Sequence, residues 1–229
     1  MRLLNALAAS AAVAALSVVV IPAATAATIT SGFTYSVADA FGGASGVGTH
    51  FHSNTGGSFG NPAGLAEVGR LGGEEVRGLS EYNLAGLASA ASAFVTFDVY
   101  QLGGLFGQSN YAGPIGIHSY TGNNTENLSD FEALSTTLIG TFDSTGLTES
   151  SVVSFDITSL FNTAIGNGDS SLGIRLQMSP LIDPNQAIVF HDFRLTTDNQ
   201  SNGIPEPGTL GLAALALIGL VTERRRRQG

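Results

Sequence analysis

The sequence predicts an all-β body, a single β-sandwich of jelly-roll type, from three observations. Short runs of β-branched and aromatic residues alternate with polar ones. Clusters of Gly, Ser, Thr and Asn interrupt those runs at intervals. No helical periodicity is sustained between Ala27 and Gly203. Such a pattern builds layered sheets, and sandwiches are the common secreted solution.

The runs justify the strands one by one. Ile29–Val37, with Phe33, Tyr35 and Val37 in alternation, is the first. Residues 41–73 are Gly-rich and weakly periodic, so they read as loops with short strands. Glu74–Tyr82 follows as a strand. Phe94–Tyr100 is the clearest: Val95, Phe97 and Val99 take one face, and Phe94, Thr96, Asp98 and Tyr100 the other. A loop over residues 103–113 leads to a strand at Ile115–Tyr120. Leu138–Phe142 and Val152–Ile157 are further strands. Ser159–Ile165 reads as one or two helical turns stopped by Gly166. Leu172–Met178 and Ala187–Leu195 close the series, around a loop at residues 180–185.

The chain has 229 residues, 43% of them hydrophobic, which suffices for one sizeable core. It contains no cysteine, so disulfides and thiol nucleophiles are excluded. All nine basic residues are arginines, and only Arg70, Arg77, Arg175 and Arg194 fall between Ala27 and Gly203. Against 16 acids, that segment carries a net −12. A body so acidic is repelled by phosphate backbones, which argues against nucleic-acid partners.

The two ends differ from the body. Met1–Ala26 reads as a secretory signal peptide: Arg2 starts it, Leu3–Ile21 is its apolar core, and Ala24-Thr25-Ala26 is an A-x-A cleavage site before Ala27. Residues 27–198 are assigned to the sandwich and 199–203 to a linker. Residues 204–229 form a tripartite tail. Pro205-Glu206-Pro207 is a stiff, extended handle, because each proline fixes its own φ and restrains the residue before it. Gly208–Val221 is apolar and helix-compatible. Its 14 residues span about 21 Å as a helix, short of the roughly 30 Å hydrocarbon core. Arg224, Arg225, Arg226 and Arg227 then hold the end on the cytoplasmic side. This is a short transmembrane helix, suited to being inserted, recognised and cut.

In that order, these residues resemble the PEP-CTERM sorting signal of Gram-negative bacteria. The resemblance implies processing by an exosortase, a membrane-embedded, cysteine transpeptidase-like enzyme. It covers about the last 26 residues, with Glu223 as a small departure. A second resemblance is to DNRLRE-type β-sandwich domains, similar to carbohydrate-binding modules. Arg77–Leu84, Ala91–Val99 and Val152–Thr158 carry it, with Glu81 where an Asp is usual and the DNRLRE string itself missing. It implies a fold and no activity.

Candidate chemistry in the body is sparse. His50 and His52 share one face of a strand and have metal-ligand spacing, with a third ligand to come from Glu67, Glu74, His118 or His191. In a Gly-rich stretch they read first as ordinary exposed histidines, and no metal is assigned to them. Bound calcium suits the acidic loops better, through Asp39, Glu126, Asp130, Asp143, Asp169 or Asp183. Asp98 and Asp156 are candidate buried partners for Arg77 or Arg175. His191 and Asp192, as neighbours on a strand, should point to opposite faces. No catalytic residue is assigned, so the chain reads as a non-enzyme. Tyr100 and Tyr111 flank a Gly-rich loop and are the candidate exposed aromatics for glycan contact. The expectation is an exported surface or extracellular-matrix protein with a structural or adhesive role. Its expected partners are an exosortase, the inner membrane through the C-terminal helix before processing, and extracellular polysaccharide. The alternative is a carbohydrate-binding protein, then a glycan hydrolase or lyase.

Overall fold

The alternation at Phe94–Tyr100 becomes the centre of a long strand in the computed structural model. That structure describes residues 27–52, 55, 64–133, 136–181 and 185–199. The described residues belong to one unit, Thr25–Ser201. The expected signal peptide, the Pro-Glu-Pro tail and its apolar helix lie outside them. No helix among the described residues is long and apolar enough to cross a membrane.

In chain order the strands are β1 (Thr28–Ser31), β2 (Phe33–Asp39), β3 (His50–Phe51), β4 (Ala66–Leu71), β5 (Glu74–Asn83) and β6 (Ala90–Leu102). Then come β7 (Ser109–Asn110), β8 (Pro114–Gly122), a 3₁₀ turn at Leu128–Glu132, β9 (Thr137–Asp143) and β10 (Val152–Asp156). Helix α1 (Thr158–Asn167), β11 (Ser171–Met178) and β12 (Gln186–Asn199) complete the body. The all-β expectation holds. The strands hydrogen-bond into one 12-stranded sheet with the path β10-β6-β12-β4-β5-β11-β8-β9. All pairings are antiparallel except β7 with β12. The two layers expected of a sandwich are thus arms of one sheet, joined through the β4–β5 hairpin.

The arms face each other across one apolar core. Phe142 of β9 meets Phe97 of β6 and Phe190 of β12 with ring centroids 5.9 Å apart in each case. Phe142 also lies 5.9 Å from Phe155 of β10. The two end strands of the path therefore approach each other through side chains, and the sheet is nearly closed. Such closure protects edges that would otherwise invite pairing with another chain.

One expected strand became two. Gly32 separates β1, which pairs with β12, from β2, which pairs with β5. The chain crosses from one arm to the other there. Gly32 N–H donates to the Phe193 carbonyl at 2.7 Å, and a Cβ at this point would run into Ser80, Phe193 and Tyr82. Helix α1 runs past Gly166 and stops at Gly168, whose φ of 74° makes it a left-handed cap. Asn162 anchors the helix by bonding both the N–H and the carbonyl of Ala90, each at 2.9 Å.

A second buried cluster covers the outer face of β2, β5, β11 and β8: Tyr35, Val37, Leu79, Tyr120 and Phe131. The 3₁₀ turn is its lid. Arg77 and Arg175 both donate to the Phe131 carbonyl, at 2.7 and 2.8 Å. The Arg77 guanidinium also sits 3.9 Å from the centre of the Phe131 ring. Arg77 further pairs with Glu75 at 2.6 Å and Glu132 at 2.5 Å. The Tyr35 hydroxyl donates to Asp130 at 2.6 Å. Asp98 and Asp156 are not the partners of these arginines. Asp98 pairs with Arg194, and Asp156 caps the start of α1 by accepting from Thr158 N–H at 2.9 Å.

Burial pushes the Asp130 carboxyl above its ordinary value, against the Tyr35 and Asn127 donors. Burial also raises Glu81, and the Asp130 charge adds to that rise against the Asn124 and Asn123 N–H donors. A carboxyl with a raised folded pKa binds protons more readily in the folded state. Stability therefore falls as pH rises through the window from the ordinary value, 3.8 for Asp130, up to the raised one. Asp130→Asn should remove this part of the slope. Urea midpoints of both proteins between pH 4 and 7 check it, and identical slopes would refute the assignment.

Candidate functional site

The outer face of β6 and β12 gathers a group of charged and aromatic side chains. Asp98 and Tyr100 share the face of β6 opposite to its core residues Val95, Phe97 and Val99. Asp98 lies opposite His191 in the register with β12. The His191 ring meets Tyr100 edge-on at 5.2 Å. Arg194 donates to Asp98 at 2.6 Å.

The expectation that His191 and Asp192 point to opposite faces is corrected here. β12 slips register against β6 between His191 and Arg194, and Asp192 takes a left-handed φ of 52°. The bulge turns the Asp192 carboxylate back to 3.6 Å from His191 Nδ1. Asp98, His191 and Asp192 thus offer ligand atoms within 4.8 Å of one another. The Arg194 cation on Asp98 opposes a metal ion at that point. Sequence reasoning missed this group because both the register and the bulge are needed to assemble it.

The two tyrosines part company. Tyr100 is 46% exposed. Tyr111 is only 1% exposed, and its hydroxyl donates to the Pro114 carbonyl at 2.9 Å. Its expected role as an exposed aromatic is corrected: the ring belongs to the core cluster between the arms.

The shortlisted calcium ligands are dispersed over different turns. Asp39 accepts from the N–H groups of Phe41 and Ser45 at 3.0 and 3.2 Å, closing its own turn. Asp130 serves the lid. Asp143 caps the following turn through Thr145 N–H at 2.8 Å, and the Thr145 hydroxyl and N–H hold its carboxyl below the usual range. Asp183 lies outside the described residues. Glu126 and Asp169 are half-buried, on the turns beside the 3₁₀ segment and after α1.

The two histidines of β3 and its continuation do find acids. Glu67 and Glu74 join His50 and His52, whereas His118 and His191 lie elsewhere: His118 on β8 against β11, His191 on β12. His50 is exposed as expected. His52 is not: it is 2% exposed, 2.9 Å from Glu67 and 3.7 Å from Glu74.

Residues 203–227 match the family model described as the PEP-CTERM protein-sorting motif. The chain carries a PEP-CTERM sorting signal. No curated protein matches the chain. The PEP-CTERM match covers Pro205, Glu206, Pro207 and the four arginines, the residues on which the resemblance was drawn. A PEP-CTERM signal marks a protein that is exported and sorted, with exosortase processing, to the cell surface or extracellular space.

The Pro-Glu-Pro motif gives a direct test. Replacing Pro205, Glu206 and Pro207 with alanine should leave a membrane-retained precursor with an unprocessed C-terminus in the native cell. Immunoblots of membrane and extracellular fractions read the outcome. A mature form of normal size in the variant would contradict the assignment.

Proposed function

We propose that the body is a non-enzymatic, structural or adhesive component of the cell surface or of the extracellular polysaccharide matrix of a biofilm. The observation that carries this reading is the sorting motif at residues 203–227 joined to an acidic all-β body. The body's acids support it by what they do. Asp39, Asp143 and Asp156 close or cap turns, and Glu75, Glu81 and Asp130 brace the buried outer face. Before processing, the signal peptide is removed at Ala26–Ala27, and the apolar run Gly208–Val221 holds the precursor in the inner membrane.

A second reading, glycan binding, is favoured by one observation. Tyr100 presents a half-exposed ring beside the Asp98–Arg194 pair and His191. A ring face flanked by fixed donors and acceptors suits a sugar's apolar face and its hydroxyls. Hydrolase or lyase action ranks below both.

A glycan array probed with wild-type protein and with Tyr100→Ala separates the first two readings. A purely structural role predicts no selective glycan binding by either protein. Selective binding that weakens about tenfold or more on removal of the ring would replace it with the second.

A further inference from the structure

We propose that His50, His52 and Glu74 form a site for one divalent transition-metal cation of the zinc type, with Glu67 positioning His52. The four residues come from β3 and its continuation, β4 and β5, and the fold brings them into one polar cluster beside the β4–β5 hairpin.

The distances favour ligation over direct pairing. His50 Nε2 lies 3.5 Å from one Glu74 oxygen, and His52 Nε2 lies 3.7 Å from the other. Both exceed the usual 2.7–3.2 Å of an N–H···O hydrogen bond. Both are close to the edge of a tetrahedron built on bonds of about 2.0–2.1 Å, which is roughly 3.3 Å. Glu74 thus lies between the two imidazoles, with one oxygen toward each.

His52 supplies an independent sign. It is 2% exposed, yet neither ring nitrogen makes a hydrogen bond of proper alignment. A buried imidazole in that state is costly unless something else satisfies it. A cation at Nε2 does so. Glu67, 0% exposed, stands 2.9 Å from His52 Nδ1. Its other oxygen is held by Leu105 N–H at 3.2 Å and by the Gln108 side-chain amide at 3.1 Å. With a metal on Nε2, a small rotation of the ring would let Nδ1–H donate to this carboxylate, the arrangement that fixes the tautomer of a metal-bound imidazole. Phe106 packs edge-on against His52 at 4.9 Å and covers it.

His50 completes the set from the rim. Its Nδ1 lies 3.0 Å from the Thr49 hydroxyl, which leaves Nε2 as the outward ligand. The two imidazole centroids are 6.5 Å apart. Two rings on one tetrahedral zinc stand at roughly 5 Å, so the exposed His50 ring moves inward to close the site. Two neutral nitrogens and a carboxylate select a borderline cation over calcium, which prefers oxygen alone. Water takes the fourth position at the surface. The bound ion would staple the two-residue strand β3 to β5.

Zinc binding to the full chain in detergent tests the site, by equilibrium dialysis after chelator treatment and by thermal unfolding with and without Zn²⁺. The expected result is one zinc per chain and a raised Tm, with tetrahedral cobalt absorption when Co²⁺ replaces zinc. His50→Ala and Glu74→Gln touch exposed or rim groups and should keep the fold while losing at least tenfold in affinity. His191→Ala, on the other face, should bind as wild type. Binding unchanged in both His50→Ala and Glu74→Gln, loss of binding in His191→Ala, or a response to Ca²⁺ but not Zn²⁺ would each overturn the proposal.

Discussion

Two buried guanidinium groups meeting on one carbonyl constrain the rest of this body. Arg77 and Arg175 lie on adjacent strands, β5 and β11, and both donate to the Phe131 carbonyl. Burying cations is tolerated only when their donors are satisfied. The 3₁₀ turn at Leu128–Glu132 supplies that acceptor, and Glu75 and Glu132 supply the countercharge. The turn must therefore lie over the outer face of the β2-β5-β11-β8 arm. Tyr35, Leu79 and Tyr120 are sealed beneath it.

That constraint explains which strands could be read from residues alone. β6 has one face in the core and one toward solvent, so its burial alternates as its sequence does. β5 and β11 are buried on both faces, between the main core and the lid. Their sequences mix Arg77, Glu81 and Arg175 with apolar residues, and no simple alternation marks them. They were recognisable as strands by β-forming residues between turn signals, but not as double-sided. The break at Gly32 was hidden for a similar reason, since it depends on Ser80, Tyr82 and Phe193, which are remote in sequence.

The candidate sites divide along the same line between local and non-local information. A sorting signal is contiguous, so Pro205-Glu206-Pro207, the apolar run and the arginines could be read directly. The His50–His52 spacing was also visible, and so were Glu67 and Glu74 among four possible partners. Choosing those two required the β4–β5 hairpin to bring them to β3. Tyr111 shows the opposite failure: a tyrosine beside a Gly-rich loop looks like a rim residue until the packing of the arms buries it. The Asp98–His191–Asp192 group needed a bulge that the residues around Asp192 do not announce.

The body and the tail therefore tell of different stages. The tail addresses the protein for sorting, and the braced, nearly closed sheet is the body that is sorted. The central claim, sorting with removal of the C-terminal signal, is tested most directly by mass spectrometry of the protein recovered from the surface or medium of the native cell. The account predicts a chain beginning at Ala27 and lacking Gly208–Val221 and the four arginines. An extracellular protein that retains an intact C-terminus through Arg227 would contradict it.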